Sequence, residues 1–307
     1  MTKILDLQKA LELGRVSAGL VYVNSMPQVR QGKRNDFMVG KFVNGSDSVE
    51  FKIWEERTFK TVLNHGVGIY EVEVEGSEFN GSYLTVRKIN VSSDKTVKSS
   101  DFLAALPKEL IDNLQARAYK AAQAAGVSDK AIKLLDELLN APELDGRFFV
   151  EGAAVSHHDN QVRGLAHHSF KMLEILATIL TQHPNLQAQA DLLALGVTLH
   201  DVGKVWEYDE LSMSEYWYSN HRARGLEYLA MKKDLIMANY DEKFYRQMQA
   251  IIIGHHGDYG DRPETVACAI VHFIDTLESQ VTGMLEDLNR SVDNRIFIKD
   301  WGYLAGF

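Results

Sequence analysis

Histidine is concentrated in the second half of the chain, where it suggests metal chemistry. Neutral imidazole presents a nitrogen lone pair at neutral pH, which makes histidine a common metal ligand. The only cysteine, Cys268, cannot form a thiolate cluster, so a metal here would be held by imidazole and carboxylate groups. Ten of the eleven histidines follow residue 150, namely His157, His158, His167, His168, His183, His200, His221, His255, His256 and His272.

The pair His200-Asp201 lies in an apolar stretch, DLLALGVTLHDVGKVW, which predicts a buried helix. An ionised aspartate buried there would cost several kcal/mol unless it is paired or binds a metal. Adjacent helical residues diverge by about 100°, so the two side chains can share a cation in the crease between them. A carboxylate can also bridge two cations roughly 3.5 to 4 Å apart. Lys204 on the same face could bind a phosphate oxygen, and Gly203 would leave room for close approach.

A second buried carboxylate is predicted in ACAIVHFIDTLES, where Asp275 lies among apolar residues and needs a cation or several hydrogen bonds. His272, one turn earlier, either orients Asp275 or is a core histidine, and the core role is favoured. Two histidine pairs complete the set, one in GLAHHSFKMLEIL and one in IIIGHHGDYG. Each pair alone has an ordinary structural explanation, whereas the ordered combination is typical of a metal site.

The elements that would position these residues change in character along the chain. Five short segments of alternating apolar residues, separated by turns, lie between Arg15 and about Ser93 and predict a small antiparallel barrel of the OB type. After Ser99 the apolar period becomes helical, starting with SSDFLAALPKEL, whose Ser and Asp can cap a helix. We therefore predict a multidomain α and β protein with a β-barrel at 1–98, a helical linker at 99–147 and an all-α domain at 148–307.

Charge and composition narrow the class of protein. The formal net charge is -9, but residues 15–98 carry 12 basic against 10 acidic side chains, while residues 99–307 carry 19 against 30. This asymmetry fits a binding module joined to a metal-dependent one, and ordinary variation between two domains explains it equally well. No stretch reaches the roughly 18 apolar residues of a membrane span. We therefore expect a soluble, unprocessed protein without a membrane partner, and the single cysteine favours the cytoplasm.

The ordered set H, HD, H, HH and D resembles the HD superfamily of metal-dependent phosphohydrolases. The sequences GLAHH, LHDVGK, GHHG and HFIDTLES resemble in particular the YhaM-type 3'-5' exoribonucleases, in which an OB-fold, a helical linker and an HD domain follow one another. The resemblance implies two metal sites that share Asp201, and it leaves the role of His157 and His158 open. The ligands would be His168, His200, Asp201 and Asp275 for one metal, and His221, His255 and His256 with Asp201 for the other.

The resemblance further implies a metal-dependent 3'-5' exonuclease that hydrolyses single-stranded RNA to nucleoside 5'-monophosphates. Asp201 and Lys204 would be catalytic, because the cations activate a water and Lys204 stabilises charge on the phosphoryl oxygens. Imidazole and carboxylate ligands suit manganese, iron, cobalt, nickel or zinc, and the resemblance favours manganese. RNA is favoured over DNA, with activity on DNA left open, as is homo-oligomerisation.

The barrel would hold the single strand through phosphate contacts and base stacking. Each candidate also has an ordinary explanation as a solvated charge, or as a core aromatic in the case of the tryptophan. The candidates are Arg30, Lys33, Arg34, Lys52, Trp54, Arg87 and Lys88.

Two other functions stay open at this point. The first is an HD enzyme that hydrolyses a small nucleotide and uses the barrel for regulation. The second is a nucleic-acid-binding protein whose HD domain no longer catalyses, although the intact ligand set argues against it.

Overall fold

The computed structural model describes residues 3–32, 35–45, 47–79, 81–154, 161–209, 211–257, 260–291, 293–298 and 301–307. The chain divides into two compact units, Met1–Ala105 and Leu106–Phe307. Among the described helices, none combines the length and apolar character needed to cross a bilayer.

The first unit is a closed β-barrel. Its strands are β1 (Val16–Val23), β2 (Gln28–Arg30), β3 (Phe37–Asn44), β4 (Asp47–Ile53), β5 (Gly68–Glu78) and β6 (Ser82–Val91), and its helices are α1 (Leu7–Ala10) and α2 (Glu56–His65). The strands pair in the order β1-β5-β6-β4-β3-β2, and a further pairing of β1 with β3 closes the barrel. Five long strands closed in this way form an OB-type barrel, so the predicted N-terminal fold is confirmed.

Alternating side chains build the barrel interior. On β5, Tyr70, Val72 and Val74 are buried, whereas the residues between them are more exposed, as expected for a strand with one face on a core. Phe42 and Phe51 stack inside the barrel with ring centroids 4.2 Å apart. The alternating pattern of VEFKIWEE predicts a strand from Val49 to Glu56, but β4 ends at Ile53 and α2 follows. The apolar residues of α2 recur at helical spacing and bury their face against the barrel core.

The second unit is mainly helical. Its helices are α3 (Lys108–Ala124), α4 (Asp129–Leu139), α5 (Gly164–Gln182), α6 (Ala190–Leu199), α7 (Lys204–Glu207), α8 (His221–Met231), α9 (Lys233–Asn239), α10 (Glu242–Gly254) and α11 (Val266–Arg290). Two small hairpins, absent from the prediction, are β7 (Tyr208–Asp209) with β8 (Ser212–Met213) and β9 (Arg295–Ile298) with β10 (Gly302–Ala305).

The predicted boundaries at 98/99 and 147/148 differ from this division. Residues 99–105 belong to the barrel unit, where Phe102 packs with Leu20 and Tyr22. Helices α3 and α4 share one core with the later helices, because their amphipathic faces bury residues such as Leu114 and Leu135. Ser99 and Asp101 lie in a short 3-10 turn, and α3 begins only after Pro107. The predicted linker is therefore not a separate segment.

Helix α6 is central to the helical unit. All of its residues from Leu192 to Leu199 are buried, and it packs against α5, α10 and α11. The C-terminal end of α6 is therefore surrounded by side chains from these three helices. His200 and Asp201 lie at this end.

Candidate metal centre

Helix ends bring the candidate ligands together. His168 lies in the second turn of α5, His221 is the first residue of α8, and His255 and His256 directly follow α10. Helix α6 ends at Leu199, so His200 and Asp201 begin a turn instead of lying within a continuous helix as predicted. The turn allows both side chains to face the same space.

One group of ligand atoms belongs to His168, His200 and Asp201, whose atoms lie within 4.8 Å of one another. His200 Nε2 is 3.2 Å from Asp201 Oδ2. Asp275 Oδ1 joins this group at 3.2 Å from His168 Nε2 and 3.9 Å from His200 Nε2. The four residues that the resemblance assigned to one metal are therefore neighbours in the structure.

A second group comprises Asp201, His221, His255 and His256, again with ligand atoms within 4.8 Å. Asp201 Oδ1 is 3.6 Å from His221 Nε2 and 3.5 Å from His255 Nε2. His221 Nε2 and His256 Nε2 are 2.9 Å apart, a separation that suits two nitrogens at right angles around one cation at about 2.1 Å. Asp201 belongs to both groups, and its two oxygens face different groups.

Four of these histidines have Nδ1 engaged and Nε2 directed at the centre. His200 Nδ1 lies 3.0 Å from the Val197 carbonyl, and His255 Nδ1 lies 2.9 Å from the Ile252 carbonyl. A carbonyl can only accept, so Nδ1 carries the proton and the Nε2 lone pair stays available. His168 and His221 follow the same pattern with carboxylate partners, described below. Metal-binding histidines are commonly oriented in this way.

Three buried atoms at the centre lack hydrogen-bond partners within the described part of the chain. They are His200 Nε2, Asp201 Oδ1 and His255 Nε2. Leaving a buried polar atom unsatisfied costs roughly 1 to 3 kcal/mol, and here three acceptors face one another. A divalent cation satisfies all of them, so the donor set fits a bound metal.

The charges around Asp201 keep it ionised. Burial alone would raise the pKa of Asp201, but Lys204 and the imidazole of His200 outweigh burial and hold that pKa well below its ordinary value. Lys204 Nζ donates to Asp201 Oδ2 and to the Ala153 carbonyl, both at 2.6 Å. Burial likewise opposes the charge of Lys204, and the neighbouring Asp201 carboxylate raises the pKa of Lys204 above its usual range. Lys204 therefore belongs to the centre as a cation paired with Asp201.

Burial also keeps His255 and His256 in the neutral form that can bind a metal. Desolvation lowers the pKa of His255, and desolvation together with the charge of His255 lowers the pKa of His256 to about 3. Only a neutral imidazole can coordinate a metal. Both side chains are therefore ready to bind a cation at neutral pH.

Two carboxylates at the centre were missed from the sequence. Glu278 is buried and contacts His168 Nδ1, while Glu207 Oε2 lies 2.5 Å from His221 Nδ1. Burial would raise the pKa of Glu278, but its hydrogen bond with His168 and the charge of Lys171 lower that pKa to about 2. Glu278 lies three residues after Asp275 on α11, a spacing that places both on one helical face. That spacing was the available signal, whereas Glu207 had none.

We expect Glu278→Gln to weaken metal binding by about ten- to a hundredfold, the usual effect of losing a carboxylate behind a histidine ligand. Titration of the metal-free protein with Mn²⁺, followed by calorimetry, measures this. Ser279→Ala is the matched control, since the Ser279 hydroxyl donates to the Thr276 carbonyl on the same helix. Equal affinities of the two variants would show that Glu278 does not orient His168.

The other residues singled out in this half have definite places. His272 Nδ1 lies 2.6 Å from the His255 carbonyl, so His272 supports the turn that carries two ligands instead of contacting Asp275. A Cβ on Gly203 would lie 1.8 Å from the His221 carbonyl oxygen. The close approach that Gly203 allows is therefore that of α8. His157 and His158 lie outside the described residues.

The proposed nucleic-acid contacts lie on the barrel unit in different settings. Trp54 is 47% exposed and stacks on Phe37 with centroids 4.8 Å apart, so it is not a core aromatic. Arg30 is exposed at the end of β2, and Lys52 lies over the Tyr83 ring at 3.6 Å.

Carboxylates neutralise several of the other basic side chains on the barrel. Arg87 and Lys88 on β6 form ion pairs with Glu75 and Glu73 of β5. Lys52 also lies 3.3 Å from Glu50. Lys33 and Arg34 fall outside the described residues. Among the described basic candidates, Arg30 is therefore the one without an ion-paired carboxylate in the described part of the chain.

Comparison with known proteins supports the arrangement of the helical unit. Residues 165–280 match the HD domain family, and all the candidate ligands lie in this range. The chain is 27% identical over 276 residues to 3'-5' exoribonuclease YhaM of Bacillus subtilis (strain 168), covering 83% of this chain and 85% of that protein. The YhaM protein of Bacillus licheniformis is also 27% identical, over 277 residues, with the same coverage. The predicted resemblance to YhaM-type proteins is confirmed.

Among solved structures, an aspartyl tRNA synthetase from Entamoeba histolytica covers 66% of this chain and 35% of its own at 12% identity. Its TM-score is 0.23, too low to establish a common fold.

Proposed function

We propose that this protein, whose residues 165–280 form an HD domain, is a metal-dependent 3'-5' exoribonuclease. The observation that carries the proposal is the convergence of two ligand groups on Asp201, with three buried acceptors directed at the space between them. That arrangement suits phosphodiester hydrolysis assisted by two divalent cations. The similarity to two YhaM exoribonucleases over most of the chain supports RNA as the polymer.

In this proposal, His168, His200, Asp201 and Asp275 would hold one cation, and Asp201, His221, His255 and His256 would hold the other. When bound, the cations would supply a water acidic enough to act as a nucleophile near neutral pH and would offset charge on the phosphoryl group.

The protein's own groups prepare the site. Lys204 fixes the Asp201 carboxylate, and Glu207 and Glu278 orient His221 and His168. An ammonium has three protons, and Lys204 Nζ donates to Asp201 and Ala153. The third can therefore be donated to a phosphoryl oxygen.

The barrel would retain the single strand between successive cuts. The exposed Trp54–Phe37 stack offers an aromatic face for bases, and Arg30 offers a cation for phosphate. Imidazole and carboxylate ligands suit manganese, iron, cobalt, nickel or zinc, and the resemblance to the YhaM-type proteins makes manganese the favoured metal. The cytoplasm is the proposed compartment, since Cys268 is a single buried thiol whose pKa burial raises to about 11. Homo-oligomerisation stays a prediction.

The test is hydrolysis of a 5'-labelled single-stranded RNA with Mn²⁺. We expect a ladder that shortens from the 3' end with release of nucleoside 5'-monophosphates, its loss with a chelator, and its return with added Mn²⁺. A 3'-blocked RNA is the matched control and should be resistant. A DNA strand of the same sequence and free nucleotides are incubated in parallel. Hydrolysis of free nucleotides alone would support a small-nucleotide enzyme and contradict this proposal, and so would internal cuts.

Trp54→Ala should weaken binding of single-stranded RNA by about fivefold or more, because one stacked base contributes roughly 1 to 3 kcal/mol. Fluorescence anisotropy of a labelled RNA measures this, in a background of Asp201→Asn so that the strand stays intact. Trp301→Ala is the control, since Trp301 is also exposed but lies in the helical unit. If both variants bind RNA like the parent, Trp54 is not part of the RNA surface.

A further inference from the structure

A largely buried ion pair, Arg147–Glu151, lies beside the elements that carry the candidate metal centre. Neither residue is one of the candidate ligands. Glu151 is fully buried, whereas its partner Arg147 is 29% exposed. The guanidinium donates to Glu151 Oε1 through Nε at 3.1 Å and Nη2 at 2.5 Å. Burying a carboxylate costs several kcal/mol, and such pairs add little net stability compared with apolar residues of the same volume. The pair therefore calls for a role beyond stability.

The pair connects to the hairpin that follows α7. Arg147 Nη2 donates to the Tyr208 carbonyl at 2.6 Å, and Glu151 Oε2 accepts from the Leu211 amide at 3.0 Å. Leu211 has φ +67, a left-handed conformation that costs a non-glycine residue on the order of 1 kcal/mol or more. The Glu151 carboxylate thus holds a strained backbone in place.

The same hairpin begins one residue after Glu207, the partner of His221. Tyr208 adjoins Glu207 directly, and the Ser214 amide donates back to the Glu207 carbonyl at 2.9 Å. The side chain of Glu207 reaches His221 Nδ1. Fixing both ends of the hairpin therefore fixes the residue that orients one metal ligand.

The backbone around Glu151 leads to the other group of ligands. Ala153, two residues on, provides the carbonyl that accepts from Lys204 Nζ, and Lys204 pairs with Asp201. The Glu151 carbonyl accepts from the Leu165 amide at 3.0 Å, in the first turn of the helix that carries His168. The segment from Glu151 to Ala153 thus contacts Lys204, helix α5 and the hairpin next to Glu207. These three elements support the candidate ligands Asp201, His168 and His221, respectively.

We propose that the buried Arg147–Glu151 pair is a positioning device for the metal centre, acting through Ala153 on Lys204 and through the 208–213 hairpin on Glu207. Glu151 is a positioning residue, because it touches neither the ligand atoms nor the substrate. The inference rests on the proposed function only in that the centre must bind divalent cations. It goes further because it gives a role to Arg147 and Glu151, which lie outside the HD domain match at 165–280.

Glu151→Gln tests this, because the amide has the same shape but cannot accept from both Arg147 and Leu211 and remain fully satisfied. The first measurement is the affinity of the metal-free protein for Mn²⁺, by electron paramagnetic resonance of free Mn²⁺. We expect a loss of about tenfold or more, as for other residues behind metal ligands. The second is RNA hydrolysis, where we expect kcat to fall by about ten- to a hundredfold with KM little changed.

Asp191→Asn is the matched control. Asp191 also accepts several hydrogen bonds, from the Ser128 amide and hydroxyl and from the Tyr240 hydroxyl. It lies at the opposite end of α6 from His200, so its loss should lower the thermal transition while Mn²⁺ affinity and kcat stay as in the parent protein. Arg147→Lys keeps the positive charge but lacks the planar guanidinium group. It should lower Mn²⁺ affinity and kcat less than Glu151→Gln does, and it replaces Glu151→Gln as the test if that variant does not fold.

Parent-like Mn²⁺ affinity and kcat in folded Glu151→Gln, or in folded Arg147→Lys if the former does not fold, would overturn the proposal and leave the pair a structural one. A parent protein that binds Mn²⁺ but releases no nucleotide from RNA would instead contradict the exoribonuclease assignment. In that case the Mn²⁺ affinities alone still decide whether the pair positions the centre.

Discussion

Asp201→Asn should lower the rate of RNA hydrolysis by about a thousandfold or more, because bound cations contribute several kcal/mol to such transition states and roughly 1.4 kcal/mol is a factor of ten. Asp201 is the residue common to both ligand groups. Its Oδ1 faces His221 and His255, while its Oδ2 faces His200 and accepts from Lys204. An amide presents one oxygen and one NH₂ group, so it cannot offer a lone pair to both groups.

Asparagine is the informative substitution because it preserves the packing. Alanine would also leave Lys204 buried beside a cavity without its carboxylate, and breaking a buried pair costs about 3 to 5 kcal/mol. The asparagine oxygen can still accept from Lys204. A loss of activity in Asp201→Asn therefore reports on the cations and not on unfolding.

Three measurements separate the explanations. Metal analysis after Mn²⁺ loading should show reduced occupancy, and single-turnover hydrolysis of labelled RNA should show the loss of rate. Anisotropy should show that strand binding largely survives, because the proposed RNA surface belongs to the barrel. Equal loss of binding and hydrolysis would contradict the division into a binding unit and a catalytic unit. Retained hydrolysis with a full metal complement would exclude Asp201 as the bridging ligand.

The convergence of the candidate ligands was predictable because buried polar residues need a partner. A carboxylate at Asp201 among leucines and valines has few physical explanations, and the structure brings it to within 4 Å of three histidine nitrogens. The supporting carboxylates were less predictable. Glu207 contacts His221 across a hairpin and 14 residues of sequence, and Glu151 contacts Leu211 across 60. Such contacts depend on the tertiary fold, which brings distant segments together, and the periodicity of apolar residues does not predict them.

The fold was predictable where one period dominates. Strands of the barrel alternate apolar and polar residues, and α5, α10 and α11 repeat at helical spacing, so both classes followed from the pattern. Short elements with competing signals were missed. The residues after Ile53 continue with an apolar tryptophan and favour strand, yet Glu56 starts α2. The break after Leu199 was also missed, because the apolar run continues through it.

Gly203→Ala should lower the hydrolysis rate by about a hundredfold, since a displacement of roughly 1 Å at a catalytic site has an effect of that size. Gly203 has φ -65, a conformation that alanine adopts readily, and alanine would favour helix by about 1 kcal/mol. Backbone preference alone therefore predicts a small gain in stability. Packing predicts the opposite, because the new Cβ would lie 1.8 Å from the His221 carbonyl oxygen and 2.6 Å from the Gly225 amide nitrogen.

Both of these atoms are backbone atoms of α8, so no side-chain rotation can relieve the contact, and α8 must move with His221 at its first residue. Gly225→Ala is the matched control across the same interface, because its Cβ would meet the Ile252 side chain at 3.0 Å and its nearest backbone contact would be the Gly203 amide nitrogen at 3.8 Å. Thermal unfolding, Mn²⁺ affinity and RNA hydrolysis of both variants measure the effect. We expect Gly203→Ala to lose stability by about 1 to 3 kcal/mol, as for overpacked cores, and to lose Mn²⁺ affinity, while Gly225→Ala changes little. A Gly203→Ala protein as active as its parent would mean that the position of α8 does not limit the centre.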